Sequence, residues 1–120
     1  MPRAAEPTAD QPITRDVLLN AVLGEARQTT RVEIREIRIR PGHAAGLHVH
    51  NGPVVGSILS GSAIFQIDGQ PATELGPGDV FFEPEGERIA RFDGGAGGVT
   101  FVAYCLLTAG QEAQIEWVQP

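Results

Sequence analysis

Two histidines stand one residue apart in the stretch GHAAGLHVHNGPVVGSILSG, Gly42 to Gly61. Side chains at i and i+2 of a strand point to the same face, so His48 and His50 present their imidazoles together. Neutral imidazoles ligate divalent transition metals, and a free imidazole near neutral pH can act as a general base. A metal ion, a substrate proton and plain water are three answers to what the pair faces. His43 lies five residues before His48 and has the opposite parity on an unbroken strand, so it is expected in solvent. All nine basic residues are arginine. With no lysine, Schiff-base chemistry and a phosphate-loop lysine are excluded.

The elements that must position these side chains read as short strands. Gly 15 and Pro 9 in 120 residues imply frequent turns, and 42% hydrophobic residues support one modest core. Residues 1–13 read as a mobile leader and 14–120 as a single domain. TRDVLLNAVL (14–23) reads as a short helix or an early strand, with Asn20 interrupting both patterns. In RVEIREIRIR (31–40) the apolar parity shifts between Ile34 and Ile37, which predicts an amphipathic strand with a bulge near Arg35 and Glu36. After Pro41-Gly42 and the histidine strand come VVGSILS, SAIFQI, PATEL, VFFE and RIARF, each closed by a turn signal. The glycine-rich DGGAGG is expected as a loop before VTFVAYCLL, a buried central strand. AQIEWV reads as a last edge strand, with Trp117 covering the barrel or a partner copy. Turns recur roughly every eight to twelve residues, the rhythm of a sandwich or barrel. No helix-length periodic segment separates the strands, which argues against a parallel α/β sheet. The fold class expected is all-β.

Charge narrows the partners. Nine basic against fifteen acidic side chains give −6, which argues against nucleic acid and against an anionic membrane surface. Cys105 is the single cysteine; it reads as a buried, inert thiol. No apolar stretch reaches the length of a membrane span, and MPRAAEPTADQPITR lacks the apolar core of a secretion signal. A soluble, cytoplasmic protein is expected.

Two gapped frames then carry a family resemblance. Gly42, five residues, His48-Val49-His50, three residues, Val54, six residues and Gly61 resemble the first motif of the cupin superfamily. Gly78, five residues, Pro84-Glu85-Gly86, two residues and Ile89 are similar to its second motif. The resemblance implies a cupin jelly-roll β-barrel (a double-stranded β-helix) whose mouth holds a ligand cavity lined by both motifs. It also implies a first-row transition metal held by His48 and His50. A third ligand, usually a glutamate, falls at Val54, and a fourth, a histidine, falls at Ile89. The chain thus keeps two ligands of the family set and replaces two by aliphatic residues, which removes a negative charge and a nitrogen donor from the site.

The departure sets the remaining expectations. Glu83, at the end of VFFE, is the candidate third ligand if Phe81 and Glu83 face the cavity; if Val80 and Phe82 face it, Glu83 points outward. VFFE is apolar on both parities, so both arrangements stay open. Arg91 lies two residues beyond Ile89. On an unbroken strand it joins Val54 and Ile89 on the cavity wall and favours a carboxylate or phosphate on the ligand; at a bent strand end it turns to solvent. Tyr104 and Gln66 are further polar candidates of unsettled parity. The cofactor expected is a divalent transition metal (Fe, Mn, Ni or Zn), bound weakly or not at all because of Val54 and Ile89. The partners expected are a small organic molecule, carboxylated if Arg91 faces inward, and a second copy of the chain in a homodimer. Two functions compete: a metal-binding enzyme of dioxygenase, isomerase or lyase type, and a metal-free cupin that binds or senses a small ligand.

Overall fold

The computed structural model describes residues 6–118, so the first five residues of the expected leader lie outside it. Seven strands follow in chain order: β1 (Arg31–Ile39), β2 (His48–His50), β3 (Val54–Ile67), β4 (Thr73–Leu75), β5 (Val80–Glu83), β6 (Ile89–Leu107) and β7 (Ile115–Trp117). The described residues contain no helix, and hence none long and apolar enough to cross a membrane. Residues 14–23, read from sequence as helix or strand, form neither.

Two long antiparallel strands, β3 and β6, form the frame. VVGSILS and SAIFQI are one strand, and RIARF continues through DGGAGG into VTFVAYCLL as one strand, where the sequence suggested breaks. The physical reason is that glycine bends the chain here without ending its pairing. Gly61 has φ +76°, and a Cβ on it would lie 2.1 Å from the Gly98 carbonyl oxygen. Only glycine allows that approach. The register shifts on either side of this point, between Ile58 and Ser60 and between Gly61 and Ala63. The two strands therefore curl together, so one sheet wraps into a cup.

Shorter strands complete the wall. β1 adds to the later half of β6, β5 and β4 pair with β3, and β2 links β6 to β7. The β1–β6 ladder runs from Arg31↔Leu107 to Ile39↔Val99 with no register shift, so the bulge expected near Arg35 and Glu36 is absent. The parity change in the sequence has a different cause: Val32 and Ile34 lie on the outer face, 49% and 62% exposed, while Ile37 and Ile39 pack against the core.

Inward rungs can be followed across the cup. Glu83, Val54, Cys105 and Glu33 are successive cross-strand partners, and so are Phe81, Gly56, Ala103 and Arg35. Below them Phe81, Phe92 and Phe101 form the aromatic floor, with Phe92 and Phe101 centroids 4.6 Å apart and Phe81 and Phe92 5.0 Å apart.

Candidate metal centre in the cup

Short local signals bring three donors together. β2 carries His48 and His50 on one face, and His48 stands opposite Ile89 of β6 and Trp117 of β7. In β5 the burial alternates, with Phe81 and Glu83 buried and Val80 and Phe82 half-buried. That resolves the parity the sequence left open: Glu83 faces inward. Gly56 opposite Phe81 makes room for this arrangement, since a Cβ there would lie 2.5 Å from the Phe81 ring and 2.3 Å from the Val102 carbonyl oxygen. One ligand atom from each of His48, His50 and Glu83 lies within 4.8 Å of the others.

The geometry orients each ring. The His48 ring contacts the Gly46 carbonyl oxygen through Nδ1 at 2.8 Å, a bond in which Nδ1–H donates and Nε2 is left facing the cluster. That Nε2 stands 3.6 Å from Glu83 Oε2, and His50 Nε2 is hydrogen-bonded to the same oxygen. The two imidazoles meet edge to face with centroids 5.2 Å apart, and Trp117 packs against His48 at 5.2 Å. A carbonyl holding the far nitrogen of a ligand histidine is the usual outer support of a metal site.

The electrostatics follow from burial opposed by partners. Burial alone pushes the His48 imidazolium down, but the hydrogen bond with Glu83, the Gly46 carbonyl and the Glu83 charge outweigh it, so His48 titrates above its ordinary 6.5. Burial alone raises Glu83; the two histidines' hydrogen bonds and charges overcome that and hold the carboxyl below 4.5. A carboxylate kept ionised in so buried a place is poised to neutralise a cation. Burial raises the Cys105 thiol, which keeps it inert as the sequence suggested.

The cluster opens on a cavity of about 610 Å³. Val54 lines it, 4% exposed, beside Glu83. Ile89 is fully buried against His48 but is not among the lining residues. Arg91 is outside the cavity. Its Nε donates to Asp93 at 2.8 Å, and its side chain is 47% exposed. The same-face argument fails there because the ladder shifts: Gln66 pairs with Arg91 but Ile67 pairs with Ile89, leaving Ala90 as an extra residue that reverses the parity. Gln66 bonds the Gln70 carbonyl and Tyr104 is exposed, so neither reaches the cluster. His43 is exposed, as its parity suggested, and stands among the residues lining the cavity. Arg35 and Trp117 line the cavity without having been singled out as cavity residues. Carrying the Ile37 and Ile39 parity backwards finds Arg35 once the supposed bulge is dropped.

Comparison with known proteins agrees with this architecture. The family model described as Cupin domain matches residues 35–89. Among solved structures, the DMSP lyase DddQ from Ruegeria pomeroyi superposes with a TM-score of 0.61 at 23% identity, covering 69% of this chain and 42% of that one. An uncharacterized conserved protein with a double-stranded β-helix domain from Klebsiella pneumoniae gives 0.60 at 19% identity, covering 86% and 92%. Oxalate decarboxylase from Bacillus subtilis, described with Mn(II) centres, gives 0.59 at 21% identity, covering 67% and 22%. The chain thus spans less than half of the lyase and about a fifth of the decarboxylase. A search of curated proteins returned no match.

Proposed function

We propose, from the premise that the chain is a small cupin-domain protein, that it binds a divalent transition metal through His48, His50 and Glu83 and works as an enzyme on a small organic molecule in the cup. The observation that carries this reading is the convergence of a buried histidine, a half-buried histidine and a buried carboxylate within 4.8 Å. Two imidazoles and one carboxylate are a known set for iron, and suit Mn, Ni or Zn as well. Glu83 restores the negative charge that Val54 lacks at the family position. When bound, the metal would supply Lewis-acid or oxygen-site chemistry of the kind used by dioxygenases, isomerases and lyases. The chain's own residues do the rest: the Gly46 carbonyl fixes the His48 tautomer, and Phe81, Phe92 and Phe101 form an apolar floor that excludes water from the ligand. Two of the similar structures are named as a DMSP lyase and an oxalate decarboxylase with Mn(II) centres; the second supports a metal in the cup, and together they do not single out a reaction.

A metal-free binding or sensing role is the second reading. It is favoured by the aliphatic Val54 in the wall and by a His50–Glu83 hydrogen bond that satisfies the carboxylate without an ion. Elemental analysis of untagged protein separates the two. About one transition-metal ion per chain, lost in His50→Ala, supports the enzyme; metal-free protein that still binds small ligands supports the binder.

The proposed assembly is a homodimer, in the cytoplasm. Ile13, Val17, Leu18, Leu19, Val22 and Leu23 are all exposed in a segment without helix or strand, and Val32, Ile34 and Tyr104 are exposed on the outer face of β1 and β6. A second copy would cover both.

A further inference from the structure

The protein carries a net charge of −6, yet its cavity wall inverts that balance. Arg35, Arg38 and Arg40 line it against the single carboxylate of Glu83, which the proposed metal would neutralise. The three arginines are not equivalent. All three are exposed, Arg35 by 45% of its side chain and Arg38, paired with Glu36 at 2.8 Å, by 74%, and Arg40 lies beyond the end of β1; what differs is the register. Arg35 alone belongs to an inward rung, in register with Ala103, Gly56 and Phe81.

That register fixes where Arg35 stands relative to the metal cluster. Three strand spacings separate it from Phe81 in its own rung, about 14 Å along the curved sheet and less across the cup. Glu83 is two residues beyond Phe81 on the same face of β5. Of the two residues between Arg35 and Phe81 in the rung, Ala103 lines the cavity with only a methyl group, while the Phe81 ring covers Gly56. Glu33 engages Arg35 through one oxygen, Oε2, at 2.5 Å from both Nε and Nη2. The Nη1 edge is left to meet a ligand, and a second carboxylate suits the planar fork. Glu33 also offsets part of the charge, so the guanidinium is positioned as well as cationic.

We propose that Arg35 anchors the carboxylate of a small amphipathic organic acid, whose apolar body lies on Phe81, Phe92 and Phe101 and whose other end faces His48, His50 and Glu83. The inference rests on the small-molecule reading of the cup and names its substrate class. It replaces Arg91 as the anion contact, since Arg91 is turned away and paired with Asp93. A cation on one side and a ligand-binding cluster on the other would present the acid in one orientation.

The test uses benzoate and its neutral counterpart benzamide, titrated by calorimetry into metal-stripped wild type, Arg35→Gln and Arg35→Lys. Zinc stoichiometry of each reloaded protein is measured alongside. Wild type should prefer benzoate by about tenfold, as one charge-assisted contact implies. Arg35→Gln should lose that preference, Arg35→Lys should retain part of it, and zinc stoichiometry should stay unchanged. If Arg35→Gln does not fold, the reduced preference in Arg35→Lys carries the test. No benzoate binding, equal affinity for both probes, or a preference indifferent to Arg35 overturns the proposal. Zinc binding without an Arg35-dependent preference removes the acid and leaves the metal site; an Arg35-dependent preference without zinc binding does the reverse.

Discussion

His48 and Glu83 hold each other in opposite charge states, and this makes the site sensitive to pH in a defined direction. His48 titrates above 6.5 when folded, so the stability it contributes is complete below 6.5 and is lost as pH rises through its folded value. Glu83 titrates below 4.5, so its contribution is present above 4.5 and is lost as pH falls through its folded value. Metal-free protein should therefore gain most from the cluster between pH 4.5 and 6.5, and thermal unfolding across pH should show that gain. Glu83→Gln should remove it; an unchanged pH profile in that variant would contradict the pairing. Metal binding runs the other way on the alkaline side, because a metal must displace the His48 proton. Zinc affinity measured by competition should rise from pH 6 to pH 8, on the order of tenfold per proton released per pH unit. The sequence made the histidine pair legible through i, i+2 spacing alone. It left Glu83 undecided because VFFE is apolar on both faces, and the alternating burial along β5 settles the question.

At the scale of the strand, glycine decides whether the donors can meet. Gly56 sits between Phe81 and the β6 backbone, and a Cβ would have to displace a carbonyl oxygen as well as a ring. Gly56→Ala should destabilise the protein by about 1–3 kcal/mol, in the range of overpacked cores. Chemical denaturation gives the value, and a change within experimental error would show that the wall is looser than the structure indicates. Strand existence was readable from turn residues and apolar runs, since Asp68-Gly69 separates the paired β3 and β4, and Gly76-Pro77-Gly78 separates β4 from β5. Strand continuity was not. DGGAGG has the composition of a loop, but within β6 it bends the strand. One extra residue at Ala90 likewise turned Arg91 from the cavity to the surface, a reversal that alternation cannot foresee.

For the whole molecule, the unanswered surface is as informative as the cup. Six large apolar side chains between Ile13 and Leu23 and the outer pair Val32 and Ile34 are exposed, the kind of surface that a second copy would cover. Light scattering should report a dimer, and removing residues 1–23 should give monomers; a full-length monomer at micromolar concentration would contradict the assembly. The cupin fold was legible from its two gapped frames, because they encode turns as well as ligands. The helix-or-strand reading of residues 14–23 was not resolved by sequence, and the segment forms neither, with its apolar side chains exposed and following no single period.

In the proposed site, three side chains from β2 and β5 hold one metal ion. Cobalt(II) titration followed by visible absorption tests it most directly, because ligand-field bands report the donors themselves. Saturation at one ion per chain is expected in wild type and in Arg91→Ala, with loss of the bands in His50→Ala and in Glu83→Ala. Absence of saturable binding in wild type, or bands that persist unchanged without Glu83, would contradict it.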